Sequence, residues 1–252
     1  HPDDDPLTAD ILGVIVGAVL VGQTASLRSA GRLPEPDATK ELDPQTSTVQ
    51  AARCFGWAAQ TLGMSSPRLF ADPTAELAVA VAVGIPPLIR LGKFALSGKS
   101  PRQLAFLAGR QLAYHRQERF IRLIVPSIND LEDLFLAALL IANRGLPVRA
   151  EVKQRVVPIA DAIEPLLEPA EADRLRAAFK HFVDDGGRTN LQRWAAGADH
   201  TATRAGFVLS GDLSVAAGLL GDDNAATVDD LIVYATSERY AALRSALGIA
   251  IG

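Results

Sequence analysis

The sequence predicts a predominantly helical α+β fold, in which a small antiparallel or mixed sheet at about 65–92 packs on a helical bundle. Segments with helical apolar spacing far outnumber strand-like segments, and the strand-like segments cluster within 65–92. Hydrophobic residues make up 48% of the 252 residues and aromatic residues only 6%. Small aliphatic side chains, mainly Ala, Val and Leu, are therefore expected to build the core.

Residues 1–92 contain two predicted helices and all of the predicted strands. A buried helix over 9–29 is capped by Thr8 or Asp10, and a Pro- and acid-rich surface connector follows at Leu33–Thr48. A second helix runs from about Val49 to Leu62 and is closed by Gly63. The predicted extended segments are Pro67–Phe70, Leu77–Val83 and Leu88–Leu91.

The rest of the chain is predicted to be almost entirely helical. Ser100-Pro101 is typical of a helix start, and the apolar spacing then continues to Pro126. Ser127 caps a helix that runs to Asn143, with acidic residues in its first turn. Further helices are predicted at about 150–166, 169–184, 189–209, 212–220 and 225–247.

We expect a single domain over 1–252. It would consist of an N-terminal helix and acidic linker (1–48), a core (49–220) and a C-terminal helix (221–252). The chain opens on His1 without an initiator Met, which favours its being part of a longer chain.

The charge pattern excludes some classes of partner. The net charge is −4, and residues 1–50 hold eight acids against three bases, which leaves +1 for the remainder. No block of five or six like charges is present, so no nucleic-acid partner is expected. The single cysteine, Cys54, is interpreted as a buried inert thiol and favours a reducing, cytoplasmic location.

No membrane span is predicted. The best candidate, Ile11–Gly22, has twelve residues without a charge, whereas a spanning helix needs about 20. Asp3–Asp5 stand where a signal peptide has its basic leader. A buried core helix is the favoured interpretation.

Five arginines lie on the predicted helix over 102–122. A solvated helix face is the favoured interpretation, because the interleaved aromatics that stack bases are absent. A basic face for an anionic partner is the alternative, and pairing with the acidic first fifty residues is another. The residues of the possible binding face are Arg102, Arg116, Arg119 and Arg122.

The segment Gly92–Ser100 suggests a nucleotide-binding loop, because it follows a strand and precedes a helix. That motif has four residues between its glycines, whereas five separate Gly92 from Gly98 here. A loop with a capping Ser is therefore favoured over a nucleotide-binding module.

The segment Phe106–His115 (FLAGRQLAYH), on a helix after the predicted strands, resembles the metal-binding helix of minimal gluzincin zinc metallopeptidases. This family includes the CAAX prenyl endopeptidases and their bacterial membrane-protease relatives. Asp199–Phe207 (DHTATRAGF), followed by Gly211-Asp212, resembles the segment that carries the family's third ligand. The resemblance covers roughly Val49–Leu220 and implies a zincin-like fold.

The positions that carry the family's chemistry hold other residues here. The resemblance places Arg110, Gln111 and Tyr114 at the His, Glu and His of the helical motif, with Asp199 and Thr203 at the downstream positions. Arginine stays protonated, glutamine is no general base, and tyrosine binds zinc poorly at neutral pH. One potential ligand of three does not hold zinc.

Two further arrangements are considered. A shifted metal site could use His115, His200 and Asp199, although one helical step rotates a side chain by about 100° away from the cleft face. Alternatively, Arg110 pairs with Asp199 and takes the place of the metal cation.

We therefore expect a catalytically inactive, metallopeptidase-like module that binds another protein or another domain of the same chain, with no cofactor. The first alternative is an active hydrolase with the shifted metal site. The second alternative is a nucleotide-binding module through Gly92–Ser100.

Overall fold

A computed structural model describes residues 1–221 and 224–249. Twelve α-helices and one mixed four-stranded sheet make up the described chain, which confirms the predicted, mainly helical α+β class. Two compact units can be distinguished. Of the described residues, unit 1 contains 1–33, 83–85 and 114–198, and unit 2 contains 34–82, 86–113, 199–221 and 224–249. The predicted divisions after residues 48 and 220 do not coincide with these units, and the single domain stays a prediction.

Unit 1 is built around its first helix, α1 (Pro6–Ser29). Nearly every residue from Thr8 to Val19 is buried, and four other helices of the unit contact α1. These are α5 (Gln117–Ile124), α6 (Ile128–Ala142), α7 (Ala150–Ile163) and α8 (Pro169–Asp184). A short 3₁₀ helix, Glu164–Leu166, extends α7. Ser127 caps α6, and α8 has the bounds that the sequence predicts.

The cap of α1 differs from the prediction. Asp5 is the N-cap residue, and its carboxylate accepts hydrogen bonds from the backbone N–H and the hydroxyl of Thr8. Pro6 occupies the first helical position, where its fixed φ suits the helix and no N–H is needed. The helix therefore begins earlier than Thr8 or Asp10 would imply.

By length and composition alone, α1 could cross a membrane, since it has 24 residues and a mean hydropathy of 1.7 over its most apolar window. The twelve-residue run Ile11–Gly22 lies within this helix. Within that window, 61% of the residues are buried in the structure, which is also typical of the core helix of a soluble protein.

The sheet lies in unit 2 and has the strand order β1-β2-β4-β3. Strand β2 pairs parallel with β4, whereas β1 pairs antiparallel with β2 and β3 pairs antiparallel with β4. The strands are β1 (Glu41–Leu42), β2 (Arg68–Asp72), β3 (Val79–Ala82) and β4 (Leu88–Gly92). Strand β1 falls in the predicted connector, where two residues are too short to show an alternating pattern.

One face of the sheet packs against helices α2 (Gln50–Thr61) and α4 (Pro101–Tyr114). Leu69, Ile89 and Leu91 of the sheet share a core with Phe55 of α2 and Leu112 of α4, and all five are fully buried. A second core in unit 2 gathers Phe106 and residues from the helices that follow. These are the C-terminal part of α9 (Leu191–Ser210), α10 (Leu213–Leu220), α11 (Ala225–Ala235) and α12 (Glu238–Ala246).

Two predicted helices are each divided in the structure. The segment predicted to be helical from Ser100 to Pro126 forms α4 and α5, with extended backbone at Arg116 between them. Helix α5 packs closely on α1, where Gln117 donates a hydrogen bond to the carbonyl of Gly13. The second division separates α11 from α12 at Ser237, whose hydroxyl caps α12. Residues 222–223 and 250–252 of the predicted C-terminal segment lie outside the described residues.

Candidate functional site

The two segments that carry the metallopeptidase resemblance meet within unit 2. They do so at a close crossing of α4 with the C-terminal part of α9. A Cβ atom added at Gly206 would lie 2.6 Å from the carbonyl oxygen of Phe106, and one added at Gly109 would lie 2.9 Å from that of Ala205. Real Cβ atoms do not approach backbone so closely, so glycine at both positions allows the two helices to touch.

Arg110 stands at this crossing. Its Cβ would be only 3.2 Å from a Cβ at Gly206, so the side chain starts against the backbone of α9. Its Nε is buried and has no hydrogen-bond partner in the structure. Arg110 as a whole is half-buried. The pairing of Arg110 with Asp199 stays a prediction.

Thr203, at a downstream motif position, forms a side-chain hydrogen bond within its own helix, α9. Only 1% of Thr203 is exposed, and its hydroxyl donates to the backbone carbonyl of Asp199 at 2.8 Å. Gln111 and Asp199 are half-buried, and Tyr114 is buried. Thr203 thus helps to hold the backbone of α9.

The two histidines of the shifted metal site, His115 and His200, contact an aromatic ring and a carboxylate, respectively. His115 lies against Phe120 at 5.2 Å between ring centroids, and burial lowers its pKa from 6.5 to about 4. His200 places its Nδ1 3.6 Å from Asp230 of α11. In the described chain, no group of three or more His, Cys, Asp or Glu side chains could hold a metal ion. The active-hydrolase alternative therefore gains no support.

The four arginines of the predicted binding face do not share one helix, because the predicted helix over 102–122 is divided into α4 and α5. Arg102 on α4 donates to Asp212 at 2.9 Å. Arg119 on α5 pairs with Asp4 and with Glu118, and Arg122 donates to the carbonyl of Pro126. Arg116 is the exposed N-cap of α5. The single predicted helix over 102–122 is therefore wrong, because sequence spacing alone could not reveal where α4 ends. The binding face itself stays a prediction.

The expected pairing of basic residues with the acidic N-terminal segment is found within unit 1. Besides Arg119–Asp4, Arg193 of α9 binds Asp3 through its Nε at 2.6 Å. The side chain of Asp4 is only 3% exposed. The start of the described chain is therefore fixed to unit 1 by charge-assisted hydrogen bonds.

The segment Gly92–Ser100 does not form a phosphate-binding loop. Residues Lys93–Leu96 form a short helix, α3. Gly92 has a structural role, because a Cβ there would lie 2.0 Å from the carbonyl oxygen of Leu77. Ser100 and Gln103 cap α4 by reciprocal side-chain to backbone hydrogen bonds. The nucleotide-binding alternative gains no support from this geometry.

Unit 2 contains a groove that was not predicted from the sequence; it is named here the α2–α4 groove and has a volume of about 450 Å³. Its α2 side consists of Gln50, Arg53, Cys54 and Trp57. This spacing of three and four residues gives one stripe along a helix. The adjoining stripe of α2, which includes Ala51 and Phe55, is buried in the core. The sequence of α2 therefore contains two stripes, and their separation was the local signal for a groove beside the buried stripe.

The other side of the α2–α4 groove comes from the first turns of α4 and from the end of α9. Pro101, Arg102 and Ala105 belong to α4, and Leu209 belongs to α9. Trp57 is 40% exposed although it is large and apolar. Burial raises the pKa of the Cys54 thiol to about 11, so this side chain is neutral and contributes an apolar surface.

No family model, curated protein or solved structure matches this chain. The functional assignment therefore has to come from the chemistry of the site.

Proposed function

We propose that this chain is a catalytically inactive, metallopeptidase-like module that binds another protein or another domain of the same chain. The observation that carries the proposal is the glycine-mediated crossing of α4 and α9. It brings together the two segments that hold the ligands in the resembled family. At that crossing the chain carries Arg110.

The chemistry at these positions supports a binding role over hydrolysis. A zinc peptidase needs three ligands and a general base that activates the metal-bound water. Arg110 remains a cation and would repel Zn²⁺, and the amide of Gln111 cannot accept the proton of a water. Thr203 donates its hydroxyl to the helix backbone. A scaffold with these replacements retains surfaces for a partner.

Metal content tests the proposal directly. We expect the purified protein to hold no stoichiometric zinc, to keep its melting temperature in a chelator, and to leave peptide substrates intact. A bound metal would stabilise the fold by mass action, so that its removal would lower the melting temperature. Zinc near one per chain, with cleavage abolished by a chelator, would overturn the proposal.

Restoring the motif tests the metallopeptidase-like part. The variant R110H/Q111E/Y114H/D199E supplies two histidines four residues apart, with the acidic groups of the family. We expect it to bind zinc about tenfold more tightly than a bare pair of helical histidines, because further ligands raise affinity. The matched control is R176H/K180H, a pair four residues apart on exposed positions of α8. Equal zinc affinity in two folded variants would contradict the resemblance.

A further inference from the structure

The α2–α4 groove combines an apolar floor with a positively charged rim. Ala105, Leu209 and the aromatic ring of Trp57 provide the floor, together with the neutral thiol of Cys54. Arg53 is exposed, and the side chain of Arg102 is 68% exposed although it donates to Asp212. Among the described residues, none that lines the groove is acidic. The lining therefore favours an occupant that is apolar and negatively charged.

Two helix N-termini add to this charge. Gln50 is the first residue of α2, and Pro101 and Arg102 are the first two of α4. Neither helix has an acidic residue in its first turn, and Val49 provides no side-chain cap for α2. Helix N-termini carry partial positive charge, which favours a negatively charged occupant. Ser100 caps α4, whereas the first N–H groups of α2 have no side-chain cap. The first residues of α2 and of α4 both line the groove.

The shape of the groove favours a side chain from a protein segment. Its volume of about 450 Å³ falls within the range of roughly 300–1,000 Å³ that is typical of ligand-binding clefts. An exposed Trp beside Arg is the combination that dominates binding energy at protein interfaces. Binding to a membrane surface depends on a broad cationic and apolar face, whereas eight of the described residues line this groove.

We propose that the α2–α4 groove binds a peptide segment of a partner protein in which acidic residues flank Leu or Phe. The apolar side chain would insert against Trp57 and Leu209, while its acidic neighbours would pair with Arg53 and Arg102. This inference rests on the proposed binding function and names the chemistry of the partner.

The probe is a fluorescein-labelled, end-capped peptide EDLFDEL, titrated with the full chain and followed by anisotropy. We expect saturable binding that weakens at high salt, since the rim charges are exposed. The lysine counterpart, KKLFKKL, is expected not to bind. With unlabelled peptide, the emission of Trp57 should shift to the blue, and W57F should lose this shift. Trp194 is buried in unit 1 and serves as a constant background.

A charge variant and its matched control locate the binding. R53E/R102Q is expected to lower the affinity about tenfold. R28E/R32Q makes the same charge change at exposed positions of unit 1 and should alter the affinity less than about twofold. Equal losses in both variants would overturn the proposal. So would equal binding of the lysine peptide, the absence of saturable binding, or binding to phosphatidylserine-rich vesicles alone.

The peptide is recovered after the titration and examined by mass spectrometry. An intact peptide that binds as described supports both proposals. A cleaved peptide would overturn the inactive function and leave the assignment of the groove standing. Lack of binding by a protein that is metal-free and inactive would overturn the groove assignment alone.

Discussion

Arg119 is a structural residue of unit 1. It contacts Asp4, whose side chain is only 3% exposed, with an Nη2 to Oδ2 distance of 2.7 Å. Removing one partner of a buried ion pair leaves an uncompensated charge and costs about 3–5 kcal/mol. Because Arg119 is itself 19% exposed, we expect R119Q to lower the free energy of unfolding by roughly 2–4 kcal/mol. Urea denaturation measures this loss.

Arg188 offers the matched control for Arg119. It is an arginine of the same unit, and it is exposed. We expect R188Q to change stability by less than about 0.5 kcal/mol. Similar losses in R188Q and R119Q would show that the Arg119–Asp4 contact does not stabilise unit 1.

His115 makes stability depend on pH. Burial lowers its pKa to about 4 in the folded chain, whereas its ordinary value is 6.5. Between these values the unfolded chain binds the extra proton, so stability is present above pH 6.5 and is lost as the pH falls. From pH 7 to 5 we expect the wild type to lose roughly 2 kcal/mol more than H115Q in urea denaturation. H181Q, at an exposed position, should behave as the wild type; an equal pH dependence in H115Q would contradict the role of His115.

At the level of single residues, the sequence indicates which side chains could matter but not what they contact. Arg110, Arg116 and Arg119 look alike in the pattern. One lies at a helix crossing, one is exposed, and one is paired with a residue more than a hundred positions away. Such long-range pairing depends on how α5 docks on α1, for which no local signal exists.

Among the elements, the crossing of α4 and α9 depends on glycine. We expect G206A to destabilise the protein by about 1–3 kcal/mol, because its Cβ would collide with the Phe106 carbonyl. G17A is the matched control, since Gly17 also lies within a helix and a Cβ there has open space. Alanine at Gly17 should be neutral or stabilising by about 0.5–1 kcal/mol. Thermal unfolding of both variants measures the difference, and equal effects would contradict the close crossing.

Elements with local signals were predicted well. Ser127 before an apolar repeat fixes α6, and the pattern from Pro169 gives α8 its bounds. The break between α4 and α5 contains neither Gly nor Pro, so the continuous apolar spacing concealed it. The α2–α4 groove needed α2 to be read as two faces, one buried and one lining the groove.

At the scale of the whole molecule, two helices contribute to both units. Tyr114 ends α4 in unit 1 although the rest of α4 belongs to unit 2, and α9 changes unit after Ala198. Unfolding of one unit would therefore interrupt a continuous helix of the other. We expect both units to unfold in one cooperative transition, as the predicted single domain requires.

The two tryptophans test this cooperativity, because Trp57 lies in unit 2 and Trp194 in unit 1. In W57F the fluorescence reports unit 1 through Trp194, while circular dichroism reports helices of the whole chain. Coincident urea transitions of the two signals are expected. Separate midpoints would show that the units unfold independently and would contradict a single domain.

Fold class was accessible from sequence because periodicity is a local property summed over many segments. Function was less accessible, because it depends on which segments meet. The resemblance anticipates that Phe106–His115 and Asp199–Phe207 lie near each other, and within unit 2 Arg110 contacts α9 at Gly206. The resemblance does not predict the α2–α4 groove, because the rim of the groove combines the first residues of two helices that begin about fifty residues apart.

The lone thiol of Cys54 makes the groove measurable without engineering. With a pKa of about 11, only about one molecule in ten thousand carries a thiolate at pH 7, so alkylating reagents attack it slowly. Mildly alkaline conditions should thus direct a single fluorophore or spin label to the α2–α4 groove. The rate of labelling then measures how accessible the Cys54 thiol in the groove is to reagents.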